Sequence, residues 1–324
     1  MPITPATSTT TSTMSNLIQT AYDKFIEFNL RSEPMFRKFA DKRPVDVTNP
    51  GNTVIFQVYK DLSRQTTPLT QTQDPDAVTL SNTDKVNVVV DEYGNSVITT
   101  ERLALESISA IDPAVADMLS FNMRDSLDSL VWTKLTSLAT GRWSGTTSAD
   151  ESVLNGEDVS AATSANKLTA ALVRKGVAKL RGASVQPRDG GFYTAFIHPD
   201  VSYDLRSEAS TNGAAVWQQP HTYTEAGVGN QWNGEIGIYE QVRFIETPRA
   251  EKLSGTGTSK VYGTVILGKQ ALIEAVSYEP KTVIGPVTDK LMRFRPAGWK
   301  GLIGWNIFRP EARYVIQTKS SIAS

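Results

Sequence analysis

Apolar residues recur at three- and four-residue spacing near the start of the chain: Leu17, Ile18, Ala21, Tyr22, Phe25, Ile26 and Leu30. That period predicts an amphipathic helix from Asn16. Ser32 is placed to cap a short second helix carrying Met35, Phe36 and Phe39. The pattern stops at Arg43-Pro44 and the turn Asn49-Pro50-Gly51-Asn52. Residues 1–15, a Ser/Thr/Pro tail, hold too few apolar side chains to build a core on their own.

The period then changes. Thr53–Tyr59 (TVIFQVY) and Lys85–Asp91 (KVNVVVD) are strongly β-prone. Between them runs a mostly polar stretch rich in Thr, Gln and Asp, with Pro68 and Pro75. The reading is a long hairpin whose distal part has almost nothing apolar to bury. Such a ribbon is marginal alone in water, so its sequence asks for another surface to lie on; the alternative reading is a flexible insertion over the parent domain.

Asp112-Pro113 opens the longest helical pattern. Val115, Leu119, Met123, Leu127, Leu130, Val131, Leu135 and Leu138 form one stripe that ends at Gly141, while Arg124, Asp125 and Asp128 fall off it. Residues 113–140 would make a rod of about 40 Å at ~1.5 Å per residue. Residues 144–166 read as a surface loop. Leu168, Leu172, Val173, Val177 and Leu180 mark a further helix closed by Gly182. Strands are predicted at Phe192–His198, Gly237–Phe244, Val261–Glu274, Lys281–Val287 and Ala312–Thr318. Helices followed by mixed strands, without βαβ alternation or an internal repeat, indicate an α+β protein.

Composition narrows the function classes. The 324 residues include 40% hydrophobic and 21% charged side chains, which suits a globular protein with a sizeable core. No apolar run reaches the ~18 residues of a membrane helix, and no signal peptide is visible. Cysteine is absent, which excludes disulfides and thiol chemistry. With 33 basic and 34 acidic residues the net charge is −1, so the clustered basic excess of a DNA-binding domain is missing. The expected setting is a cytoplasm.

Candidate chemistry is thin. Gly263–Gln270 (GTVILGKQ) meets seven positions of the phosphate loop G-x-x-x-x-G-K-[ST], but Gln270 replaces the magnesium-binding hydroxyl and Thr264–Leu267 reads as a buried strand. Gly255-Thr256-Gly257-Thr258 lacks the third glycine of a dinucleotide loop and reads as a hairpin turn. The two histidines are His198 and His221; His198-Pro199-Asp200 reads as a turn at a strand end. Metal ligation by His is unsupported at any standard spacing, and Asp74-Pro75-Asp76 lacks the glycine and glutamate of a calcium loop. No catalytic, cofactor-binding or metal-binding residue is assigned. Trp217, Trp232, Trp299 and Trp305 are candidates for core or interface packing.

The order of elements resembles the major capsid proteins of tailed bacteriophages, the HK-ninety-seven-like shell fold shared with encapsulins and the herpesvirus capsid floor. The resemblance is carried by the hairpin from about Gly51 to Asp91, the rod 113–140, Phe192–Glu208 (FYTAFIHPDVSYDLRSE), the return Gly234–Tyr239 with Val242–Thr247, and the closing Ala312–Ile316 after the Gly/Trp-rich 298–305. It implies an α+β capsid fold divided as follows: an N-arm with short helices over 1–50 and an extended E-loop over 51–98. A first part of the peripheral (P) domain covers 99–160, with its spine helix at 113–140. The axial (A) domain occupies mainly 161–250, and its return with the closing P-domain strands fills 251–324.

The implied function is structural. Copies would form hexamers and pentamers of an icosahedral head around a double-stranded DNA genome, touched non-specifically at most. The head would be assembled in the bacterial host cytoplasm, without enzyme activity, cofactor or membrane. Many relatives begin with a long helical pro-segment; here only a short tail is seen, so a separate scaffolding protein is expected, together with a portal and possibly a decoration protein. Lys60 and Lys85 on the hairpin are read as solvated charges, not cross-linking residues. Alternative readings are an encapsulin-like compartment shell and a soluble hydrolase built on dispersed carboxylates.

Overall fold

The computed structural model describes residues 31–44, 53–59, 62–69, 71–72, 74, 78, 84–106, 111–137, 142–144, 167–188, 190–207, 235–250, 252–254, 261–286, 289–291 and 293–322. The expected tail 1–15, the first helix from Asn16, the loop 145–166, His221, Trp217 and Trp232 lie outside these residues. So does the Gly255–Thr258 turn. Two compact units divide the chain: one holds the described parts of Met1–Arg31, Asn95–Phe121 and Thr282–Trp299, the other Ser32–Gly94, Asn122–Lys281 and Lys300–Ser324.

In chain order the strands are β1 (Asp41–Pro44), β2 (Thr53–Val58), β3 (Asp84–Val89), β4 (Asp91–Thr100), β5 (Arg142–Ser144), β6 (Tyr193–Ile197), β7 (Glu235–Tyr239), β8 (Val242–Glu246), β9 (Lys252–Ser254), β10 (Val261–Leu267), β11 (Leu272–Ile284), β12 (Phe294–Ile307) and β13 (Arg313–Thr318). The helices are α1 (Glu101–Glu106), α2 (Ile111–Leu135), α3 (Ala170–Gly182) and α4 (Pro199–Ser207). Among the described residues they form an α+β fold with three sheets: a four-stranded sheet β1-β11-β12-β4, a seven-stranded sheet β5-β13-β10-β6-β8-β7 with β9 beside β10, and the two-stranded β2-β3 hairpin.

The large unit is layered on the seven-stranded sheet. Tyr193, Ala195, Ile197, Tyr262, Ile266, Tyr314 and Ile316 alternate onto one face, where Leu168, Val173, Val177 and Leu180 of the α3 region and Val201 and Leu205 of α4 cover them. On the other face Phe196 meets Phe36 and Phe39 edge-on, with ring centroids 5.0 and 4.8 Å away, and Trp132 of α2 stacks on Phe36 at 4.8 Å. Both faces are covered, so β10 and β13 are buried at every residue. That is why β10 reads as a near-continuous apolar run, while β13 buries Arg313, Gln317 and Thr318 along with its apolar residues.

Several expected boundaries change. The rod ends at Leu135, not Thr140, giving 25 residues and about 38 Å. Its last turn loosens because the hydroxyls of Thr136 and Ser137 donate back to Trp132 O and Lys134 O. It starts at Ile111, placing Asp112 and Pro113 inside the first turn. The short helix is a single 3-10 turn, Phe36–Phe39, with Met35 and not Ser32 at its cap and no side-chain cap bond.

Gly237–Phe244 is two strands, because Glu240 and Gln241 both take left-handed φ (49° and 62°) and reverse the chain in a two-residue turn. Val261–Glu274 is likewise two strands, broken at Gly268–Ala271, and they belong to different sheets. The expected Lys281 strand is the continuation of β11, which ends at Ile284. Gly182 is the last helical residue of α3; the closing left-handed residue is Ser184. His198-Pro199-Asp200 leads directly into α4. The long strands β4 and β12 had no expectation.

Candidate assembly surfaces and the charged anchors behind them

The hairpin forms as the alternation predicts. Its ladder pairs Thr53 with Val89, Phe56 with Val86 and Val58 with Asp84. Val54, Phe56, Val58, Val86 and buried Val88 turn to one face, where Val90, Ile273, Ala275, Leu302 and Phe308 receive them. Ile55 and Val89 point the other way and stay exposed. Beyond Val58 no further ladder pair joins the two strands among the described residues, and the apolar groups there are bare: Tyr59 is 75% exposed and Leu69 69%, with Leu62 and Val78 similar. Scattered exposed hydrophobics are ordinary, but four among the described residues of one stretch make it a candidate contact surface. The smaller unit shows a comparable set in Ile98, Leu105, Ile284 and Leu291.

Among the described residues, three buried charged anchors tie elements of the large unit to one another. Asp128 was expected to fall off the α2 stripe; instead it is buried, 1% exposed. Its carboxylate accepts the backbone N–H groups of Met35 and Arg37, both at 3.2 Å, and Arg249 Nε at 2.9 Å. Arg249 also pairs with Asp125 at 2.5 Å. One carboxylate thereby ties the segment before β1 to α2 and to the turn after β8. Burial raises its proton affinity; the two backbone N–H bonds and Arg249 oppose the rise. Sequence offered one signal for it: Asp128 stands one helical turn from Val131 and Trp132 and two from Leu135, within a buried face.

Glu274 is the second anchor. It is fully buried on β11 opposite Lys42 of β1, and Arg37 Nε donates to its Oε1 at 2.7 Å. The same guanidinium reaches Glu279 at 3.1 Å, where Lys42 also pairs. Third, Arg313 is 0% exposed at the start of β13, and its guanidinium donates to the carbonyls of Lys134, Leu135 and Ser137. Burial pushes its pKa down to about 10. The sequence reads Asp128 only as lying off the α2 stripe and assigns neither Glu274 nor Arg313 a role.

The motifs that suggested catalysis or nucleotide binding are structural. In GTVILGKQ, Thr264–Leu267 lies within β10, fully buried. The N–H of Gly268 donates to Ala312 O at 2.7 Å and that of Lys269 to Gln186 O at 2.9 Å, so the amides a phosphate would need are already used. His198 accepts the Asp200 N–H at Nδ1, 3.2 Å, and stacks on Tyr262 at 4.6 Å. Tyr262 donates to Asp200 at 2.7 Å, and burial, with that bond, raises its hydroxyl far above the usual range. Ser202 donates to Glu246 at 2.6 Å, not to His198. A nucleophile–base pair needs the opposite arrangement; this cluster fastens the first turn of α4 to β8 and β10.

The capsid of Ralstonia phage GP4 has the same fold, with a TM-score of 0.74 at 13% identity, covering 98% of this chain and 100% of that one. The cyanophage Pam1 capsid gives 0.67 at 16% identity (98% and 100% covered), and the head of Helicobacter pylori bacteriophage KHP40 gives 0.66 at 12% (98% and 99%). The fold is the HK-ninety-seven-like capsid fold, as the order of elements implied. No curated protein matches the chain. A family profile described as "Phage capsid protein" matches residues 137–314. That is more than half of the chain, which therefore belongs to the phage capsid protein family as a structural major capsid protein.

Proposed function

We propose that copies of this chain form the hexamers and pentamers of an icosahedral head enclosing the double-stranded DNA of a tailed phage. Within that reading the segment before β1 is the N-arm and the β2–β3 hairpin is the E-loop. Helix α2 is the spine of the peripheral domain, and the part centred on α3, α4 and β6–β8 is mainly the axial domain. The protein acts by association, without catalysis. A separate scaffolding protein, a portal and possibly a decoration protein join it, and assembly takes place in the host cytoplasm.

The observation that carries this is the hairpin. Its base is packed into a core, yet its distal part displays Tyr59, Leu62, Leu69 and Val78. An arm that buries little in its own subunit and much on a neighbour makes closure cooperative, because each added copy completes interfaces on several others. Replacing Ser63–Ser81 by a short turn tests it. The expected product is a soluble, folded subunit that elutes at low mass and forms no closed shells by electron microscopy; normal shells would refute the role. Nuclease-protected double-stranded DNA inside native particles checks the cargo.

A further inference from the structure

Arg43 stands at the end of β1. Its guanidinium carbon lies 5.4 Å from the ring centroid of Phe56, in the middle of β2, and 5.0 Å from that of Phe308, just after β12. One cation thus rests against a ring of the hairpin and a ring of the body. Among the described residues Arg43 has no carboxylate partner, so the aromatic faces are what its charge is used for. Two more contacts fix the same base. Asn306 Nδ2 donates to Asn87 O at 2.7 Å. Gly304 passes so close that a Cβ there would stand 2.1 Å from Val89 O.

These contacts come from different elements and all fall on the ladder between Val54 and Val89, below the distal part. They leave the hairpin one orientation. A six-pair ladder is about 20 Å long at ~3.3 Å per residue, so a swing of about 10° at its base moves its end by about 3–4 Å, a full residue of strand register. Subunits meeting through such an arm cannot tolerate that error and still close on one radius.

We propose that Arg43 is a positioning residue of the arm. It sets the angle at which the hairpin leaves the subunit and, through that angle, the curvature at which copies join. This rests on the hairpin being the intersubunit arm, and the test separates the two ideas. Arg43→Ala and Arg43→Lys are assembled beside the wild type and beside the 63–81 replacement. Arg43→Lys keeps the charge but loses the planar stacking, and it is the informative variant if Arg43→Ala folds poorly.

Both variants are expected to assemble, with a broadened or shifted distribution of shell diameters by electron microscopy. In the unassembled subunit, hydrogen exchange of the Val54–Val58 and Val86–Val89 amides is expected to quicken by about tenfold, with α3 and β10 unchanged. Shells of one wild-type diameter from both variants overturn the proposal, as does unchanged exchange. Normal shells from the 63–81 replacement would instead overturn the arm itself.

Discussion

The guanidinium of Arg313 donates to the carbonyl of Leu135, the last residue of α2, at 2.6 Å. A helix leaves its final carbonyls without intrahelical partners, and these are normally answered by water or a glycine turn. Here a strand residue answers two of them, at Lys134 and Leu135, and also reaches the Ser137 carbonyl just beyond the helix. The positive charge also suits the negative end of the helix dipole. Arg313→Met is expected to destabilise the unassembled subunit by about 2–4 kcal/mol, since buried carbonyls lose charged donors. Arg313→Lys should lose part of that, because an ammonium cannot span the fork. Denaturant unfolding measures both; losses under about 0.5 kcal/mol would mean the cap is dispensable. The folded pKa, about 10, lies below the ordinary 12.5. Arg313 is therefore charged in both folded and unfolded chains near neutrality and adds no pH dependence there.

Glu274 does add one. Burial raises its carboxyl above the ordinary 4.5; Arg37 and then Lys42 pull it back, and Glu279 adds to the rise. The folded value exceeds the unfolded one, so the native state binds the proton more tightly. Its stabilising contribution is complete below the unfolded value and is lost as pH rises through the folded value. Glu274→Gln carries no such proton. The unfolding free energy of the wild type minus that of Glu274→Gln should therefore rise as pH falls from 7 towards 4.5. A flat difference would show that Arg37 cancels the burial effect.

The sequence made the pattern-bearing parts of this fold legible: the hairpin strands, the α2 stripe and the α3 stripe all follow a plain period. It failed where one residue overrides a period. Glu240-Gln241 turns the chain without the Asn-Gly signal, and Gln270 breaks the run between β10 and β11, so one hairpin and one crossing between sheets each read as a single strand. The proposed assembly surface was legible because it is defined by exposed apolar residues beyond the paired part of the hairpin. The anchors were not: Asp128, Glu274 and Arg313 look like surface charges until partners from distant sequence surround them, Arg249 lying 121 residues from Asp128.

Gly304 is needed for close approach. A Cβ at this position would stand 2.1 Å from Val89 O, 2.8 Å from Val89 C and 2.9 Å from Val88 Cγ1. Backbone cannot yield as a flexible side-chain end does. Gly304→Ala is therefore expected to cost about 2–3 kcal/mol or to lift the hairpin base off β12. Unfolding midpoints and proteolytic sensitivity of the hairpin report the two outcomes. A variant with wild-type stability and sensitivity would contradict this packing.

Ser184 offers the opposite sign. It follows α3 with φ of 56°, its N–H donating to Arg181 O at 2.8 Å, while the Val185 N–H reaches Leu180 O at 3.0 Å. This is the paired closure in which glycine usually holds the left-handed position. Serine there bears the Cβ–carbonyl crowding that disfavours left-handed L-residues, roughly 1–2 kcal/mol. Ser184→Gly removes that strain, at some cost in unfolded-state entropy. No hydrogen bond of the Ser184 hydroxyl is lost among the described residues. The net expectation is a gain of about 0.5–1 kcal/mol, seen as a higher denaturation midpoint with unchanged slope. Val185 packs on the core beside Leu180, so the gain should come without loosening α3. A lower midpoint would mean that the unfolded-state entropy cost of glycine outweighs the relief of strain.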